Sequence, residues 1–295
     1  MLGVSRRTAV AAAALAGAAL TGVSGAVASP RAVAAPCPHL YVLGLAGTWA
    51  QGPGLLGAVT DGLSAKVDYV GYARSAFPFV EKRNYGASKA QGVNNARGLA
   101  LQMVRRCPGT KVALTGYSQG ADAAGDLASE VGTGLSPLRP ENIAGVVLLA
   151  DPRRSARDQL VGPRLNGQGS GGPRFNGFGR VSHKVYTICE PGDMYCNVPR
   201  DYYITRIVGF LAEVSNPNPQ QILAYGGEAA AILGELLTVG GPGAIVGELS
   251  NAKARQQITS FWQFLRSGAH GRYTTFQVKP GVTATQWAHN YLNRL

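Results

Sequence analysis

Gly116-Tyr117-Ser118-Gln119-Gly120 sets a serine between two glycines. In the pattern G-x-S-x-G the serine stands on a sharp turn from strand to helix, where the glycines let the two backbones approach and Oγ is held out as a nucleophile. The flanks agree, with the apolar run Lys111–Thr115 before it and an Ala-rich helical stretch to Leu127 after it. A serine hydroxyl needs a base to become nucleophilic. The chain has four histidines, at 39, 183, 270 and 289. His39 and His183 stand at the entry of apparent strands, and His289 lies in Thr285–Tyr291, a terminal helix where a packed or exposed imidazole is ordinary. His270, in the loop Ser267–Tyr273, is the expected base. Two acids compete to orient it. Asp151 follows the apolar run 142–150, but its sequel Pro152-Arg153-Arg154 also suits a cap or an ion pair. Asp193 lies between Cys189 and Cys196, where a cross-linked loop would hold the carboxylate against His270 Nδ1. The residues favour Asp193 and leave Asp151 open.

The cysteines are Cys37, Cys107, Cys189 and Cys196, with no C-x-x-C and no nearby histidine at zinc spacing. Two disulfides are expected, as suits an oxidising compartment; of three possible connectivities the spacing favours Cys189–Cys196, closing a small loop, which leaves Cys37–Cys107 to tie the N-terminal part. The first residues agree with export. Arg6 and Arg7 precede an Ala/Leu/Val run, and small-x-small sites follow at 26–28 and 32–34, so residues 1–35 read as a signal peptide. A twin-arginine route and an uncleaved anchor stay open. Removing residues 1–35 takes three arginines and no acid, so the net charge falls from +12 to +9. A chain of roughly 260 residues then forms a single domain, 36–295, large enough to fold without a structural metal.

The elements that must carry these residues follow from apolar runs. His39–Ala46, Lys66–Val70, Lys111–Thr115, 142–150 and Lys184–Ile188 read as strands, and Gly92–Arg106 as a helix stopped by Cys107-Pro108-Gly109. Strands alternating with helices predict an α/β fold, a three-layer α/β/α sandwich around a parallel sheet. The Gly-rich stretch between Val161 and Arg180 is read as a loop that buries little. Residues 204–264 read as a helical insertion with pieces at 207–214, 221–237 and 251–265; outer-layer packing and a lid over the site are both open.

With these motifs in view, the chain resembles the cutinase family of serine esterases. The resemblance rests on Gly116-Tyr117-Ser118-Gln119-Gly120, on Cys189-x-x-x-Asp193-x-x-Cys196 and on His270. It implies a cutinase-like α/β-hydrolase with a Ser118, Asp193, His270 triad. It also implies an oxyanion hole from Thr48, in Leu45-Ala46-Gly47-Thr48, and the backbone N–H of Gln119. Compact fungal members keep acid and histidine close, whereas here the insertion separates them; the actinobacterial branch, with its lipid and envelope esterases, looks nearer.

The expected activity is hydrolysis of acyl esters, lipid, cutin-like or from the cell envelope, by a secreted or envelope-associated monomer without cofactor or metal. Acyl transfer by the same triad and a non-catalytic envelope-binding role on a hydrolase scaffold are the alternatives. Asp122 and Asp126 lack His or Cys companions for a metal. The arginines lie scattered in Gly/Pro loops, which argues against nucleic acid. Arg153, Arg154, Arg164, Arg174 and Arg180 are instead candidates to face an anionic envelope or simply water.

Overall fold

The computed structural model describes residues 36–76, 83–202, 205–206, 209, 212, 215 and 252–295. The chain divides into two compact units, 1–36 and 37–295, and the second holds the sheet. The expected signal segment 1–35 and the expected helix 221–237 lie outside the described residues, as does most of 207–214.

Among the described residues six parallel strands form the sheet: β1 (Leu40–Leu45), β2 (Lys66–Tyr69), β3 (Lys111–Tyr117), β4 (Ile143–Leu149), β5 (Gln159–Val161) and β6 (Val185–Ile188), in the order β2-β1-β3-β4-β6-β5. Five match the apolar runs; β5 is three residues long and carries too little pattern to be seen. Side chains alternate across the sheet as a two-residue period requires. Tyr41, Leu43, Leu45, Val112, Leu114, Val146 and Leu148 join one buried cluster, while Leu40, Val42, Ala113, Val147 and Leu149 join the other. The first cluster is covered by α2 (Tyr85–Arg106) and α3 (Gln119–Thr133). The second is covered by α1 (Gly57–Thr60) and the terminal α5 (Ala284–Leu292). Helices on both faces of a parallel sheet make the three-layer α/β/α architecture. Between β6 and α5 in sequence come α4 (Ala252–Ser267) and a short hairpin, β7 (Gln277–Lys279) with β8 (Val282–Thr283).

α2 begins seven residues before the expected start at Gly92. Asn84 caps it by accepting from Ala87 N–H, and its first turns bury Ser88 and Lys89, polar residues that apolar periodicity does not count. Cys37–Cys107 joins the segment before β1 to the end of α2, and Cys189–Cys196 closes the loop after β6. By loop length, 70 and 7 residues apart, the two bonds contribute about 4 and about 2 kcal/mol. The shorter bond therefore matters more for the shape it gives its loop.

The Gly-rich stretch after β5 departs from expectation. Residues 167–172 are buried, and their backbone bonds to Arg154 O, Pro152 O, Tyr195 O and Val198 O at 2.8 to 3.0 Å. A Cβ on Gly169 would stand 2.1 Å from Pro152 O. These glycines are there for backbone contact, which composition could not separate from looseness. Arg153, Arg154 and Arg174 are also buried, at 5, 2 and 6% exposure, so they do not face an envelope; Arg164 and Arg180 are exposed. Burial is possible because each guanidinium meets carboxylates or carbonyls, as Arg154 does at Cys196 O (2.7 Å) and Gly167 O. Among the described residues no helix is long and apolar enough to cross a membrane.

Candidate active site

The chain runs outward from β1 to β2 and then returns to place β3 on the other side of β1. Such a reversal opens a crevice at the carboxyl ends of the strands, the usual site in open α/β sheets. Among the described residues four non-glycine residues have positive φ, Trp49 (59°), Arg74 (55°), Ser118 (56°) and Ala150 (56°), and each follows one of β1, β2, β3 and β4. Such conformations cost about 1 to 3 kcal/mol each and persist where surrounding structure over-determines them.

Ser118 sits between β3 and α3 with φ 56° and ψ −126°. The glycines of its motif have a steric role. A Cβ on Gly120 would fall 1.9 Å from Leu45 O, and one on Gly116 would fall 2.3 Å from Gly120 O. The elbow can close only without them.

His270 stands in a 3-10 turn, Ala269–Thr274, entered through Gly268 at φ 68°. Its Nε2 is 2.9 Å from Ser118 Oγ and its Nδ1 is 2.8 Å from Asp193 Oδ2. Asp193 is fully buried in the disulfide loop. That loop is held by Asp193 N–H donating to Glu190 O and by Asp193 O accepting from Cys196 and Asn197 N–H. The carboxylate accepts Tyr195 N–H on Oδ1 (3.0 Å) and the Tyr273 hydroxyl on Oδ2 (2.7 Å). Burial, and then the charge of Asp193, push the Tyr273 phenol well above its ordinary range, so it remains a neutral donor. The imidazole is clasped by Tyr117, whose ring centroid lies at 5.0 Å and whose hydroxyl donates to His270 O, and by Tyr195 at 4.5 Å. These three tyrosines were not singled out from sequence. Their only signal was adjacency, Tyr117 before Ser118, Tyr195 within the Cys loop and Tyr273 three residues after His270.

Thr48 is half-buried on the loop leaving β1. That loop presses on the elbow, since a Cβ on Gly47 would lie 3.2 Å from Ser118 Cβ. Tyr72 OH donates to Ala46 O, and Trp49 N–H donates to Arg74 O, fixing its course. Gln119 is the first residue of α3, where an N–H has no acceptor within the helix and carries the positive end of the helix dipole. Its side chain is committed elsewhere, Nε2 donating to Ser75 O (2.8 Å) and Oε1 accepting from Ser88 Oγ (3.1 Å).

Asp151, the competing acid, is placed elsewhere. It pairs with Arg174 through Nη1 to Oδ2 (2.7 Å) and Nη2 to Oδ1 (3.2 Å), and accepts Arg153 N–H. Arg174 also reaches Asp126 at 2.9 Å, and Lys89 reaches Asp126 at 3.0 Å and Asp122 at 3.5 Å. Burial disfavours the Asp126 anion, but Lys89, Arg153 and Arg174 outweigh it and hold the carboxyl well below its ordinary range. This cluster fastens α2, α3, the end of β4 and the Gly-rich stretch together behind the elbow. The other histidines stay apart from Ser118: His39 and His183 are exposed, and His289 Nδ1 lies 3.1 Å from Val59 O.

A family model described as cutinase matches residues 36–204, more than half of the chain. The chain belongs to the cutinase family, and its fold is the cutinase-like α/β-hydrolase fold. It is 28% identical over 137 residues to the Carboxylesterase Culp6 homolog of Corynebacterium glutamicum, covering 39% of this chain and 44% of that protein. The chain thus spans less than half the length of that relative. It is 30% identical over 199 residues to the Probable carboxylesterase Culp3 of Mycobacterium tuberculosis, covering 63% of this chain and 69% of that protein. Among solved structures, it is similar to the catalytic core domain of acetyl xylan esterase from Trichoderma reesei, with 21% identity, a TM-score of 0.48, and coverage of 66% of this chain and 99% of that one.

Proposed function

We propose that this protein is a secreted or envelope-associated serine esterase that hydrolyses carboxylic acyl esters. The observation that carries the reading is the unbroken relay from Ser118 Oγ to His270 Nε2 (2.9 Å) and from His270 Nδ1 to Asp193 Oδ2 (2.8 Å). The curated relatives named as carboxylesterases support it. Export is supported by two disulfides and by the basic and apolar start of residues 1–35.

In this mechanism Ser118 O–H donates to His270 Nε2 and gives up its proton as Oγ attacks the ester carbonyl. Asp193 accepts from Nδ1–H, fixes the tautomer and offsets the charge of the imidazolium. The backbone N–H groups of Gln119 and Thr48 receive the developing oxyanion, a contribution of about 3 to 4 kcal/mol per donor in comparable sites. The alcohol leaves with the proton from His270. Water, deprotonated by His270, then attacks the acyl-enzyme, and as the bond to Ser118 breaks His270 returns the proton to Oγ and the acid is released. Tyr273 acts through Asp193 as a positioning residue, holding the oxygen that His270 uses.

Ser118→Ala tests the reading. It is expected to abolish turnover of a short p-nitrophenyl ester with an unchanged circular dichroism spectrum; turnover retained at the wild-type rate removes Ser118 as nucleophile.

A further inference from the structure

α4 carries Lys253, Arg255 and Arg266 and no acid. Ala254, Gln257 and Phe264 face inward, and Phe264 packs on Tyr195 at 5.3 Å, which itself packs on His270. At about 100° per residue, the next sector of the helix holds Ile258, Trp262 and Leu265. These are 48, 56 and 42% exposed. Arg255 and Arg266, both exposed, come next around the helix, and Gln256 and Gln263 lie beyond them. The apolar arc of α4 is therefore wider than the surface it packs against, and its uncovered edge is bordered by cations.

We infer that this exposed face of α4 docks on an anionic lipid surface. Soluble proteins tolerate single exposed apolar residues, but a contiguous stripe marks a contact. A lipid interface suits the arrangement: Ile258, Trp262 and Leu265 enter the acyl boundary while the two arginines extend along their stems to headgroup phosphates. A second copy of the chain suits it less. A two-fold contact through this stripe would bring Arg255 and Arg266 against their own copies with no acid on the helix to pair them. Of the cations that sequence offered for an envelope contact, Arg153, Arg154 and Arg174 are buried and Arg164 and Arg180 are exposed, whereas Arg255 and Arg266 are exposed beside an apolar stripe on their own helix. α4 ends three residues before His270, so docking would bring the lipid beside the candidate site. This deepens the esterase reading by supplying the ester from the docked surface. Docking itself needs no turnover, so either idea can fail alone.

The test is co-sedimentation of the full chain with vesicles of phosphatidylcholine, alone or mixed with phosphatidylglycerol, at low and high salt. Wild type is expected to sediment with the mixed vesicles and to be released by salt. Arg255→Gln with Arg266→Gln should lower partitioning by about tenfold or more, and Trp262→Ser by about tenfold. Both variants should turn over a soluble short-chain ester as wild type does. Because residues 1–35 are common to every protein compared, quenching of tryptophan emission by brominated acyl chains, reduced in Trp262→Phe, reads the contact at α4 itself. Three results would overturn the inference: binding indifferent to phosphatidylglycerol, variants that sediment and quench as wild type does, or a concentration-dependent dimer that Trp262→Ser abolishes.

Discussion

Asp151 and Asp193 each follow a strand of the same sheet, β4 and β6, and each is almost wholly buried at 1 and 0% exposure. Their surroundings separate them. Asp151 faces the guanidinium of Arg174 at 2.7 Å, inside a cluster that also holds Lys89, Arg153, Asp122 and Asp126. Asp193 faces no such cation among the described residues; its oxygens accept from Tyr195 N–H, the Tyr273 hydroxyl and His270 Nδ1. A permanent cation spends a carboxylate on structure, whereas neutral donors leave its charge for an imidazolium that forms and vanishes during a reaction. Burial by itself does not distinguish the two acids; the partner does.

The comparison is most sharply tested by exchanging each acid for its amide. Asp193→Asn is expected to lower kcat by about 10⁴-fold, the size of effect that amidation of the triad acid has in serine proteases, with little change in melting temperature. Asp151→Asn should do the reverse, leaving kcat per folded molecule within a few-fold. It uncovers part of a buried cation at a cost of about 3 kcal/mol, read as a fall in Tm of about 6 to 12 °C. Equal loss of kcat in the two variants would erase the distinction.

Tyr273→Phe probes how far neutral donors matter. It removes one donor from a buried carboxylate, an effect of about 1 to 3 kcal/mol, and is expected to lower kcat about tenfold with KM unchanged. A rise in KM with kcat intact would assign Tyr273 to substrate binding instead.

Asp158 sharpens the contrast from a third position. It is half-buried and accepts Ser155 N–H at 2.7 Å, and burial, only partly offset by that bond, pushes its pKa up to about 6. The folded state thus holds the proton to higher pH than the unfolded chain does, so this group's contribution to stability falls as pH rises from about 4 to about 6 and is flat above. Asp158→Asn is expected to raise Tm at pH 7, by on the order of 1 kcal/mol in stability, and to change it little at pH 4. Equal shifts at both pH values would show that the shape of the side chain, not its charge, is what the site resists.

Legibility followed the kind of interaction. Four strands, β1, β3, β4 and β6, were readable because parallel strands covered on both faces are largely apolar runs; β2, a half-exposed edge strand, was read from Val67, Tyr69 and Val70 alone, and β5, with three residues and two of them apolar, was not read. The start of α2 was missed because Ser88 and Lys89 are buried by polar contacts, Lys89 reaching Asp122 and Asp126 from 33 residues away or more. The Gly-rich stretch was misread because close backbone contact and looseness share one composition. The four strained residues at the strand ends left no trace in sequence beyond the glycines around Ser118.

By itself the sequence determined the elbow pattern, since Gly116 answers a steric demand from Gly120 O within five residues, whereas the demand on Gly120 comes from Leu45 O on the neighbouring strand β1. It also determined the small cross-linked loop, whose cysteines lie seven apart. Only the tertiary structure decided which acid meets His270, because Asp193 and His270 are 77 residues apart in sequence. It decided, too, that Asp151 belongs to Arg174 and that the arginines expected at the surface lie inside. Hydrogen bonds and ion pairs between distant segments depend on how the chain returns to itself, and residue type and spacing do not encode that return.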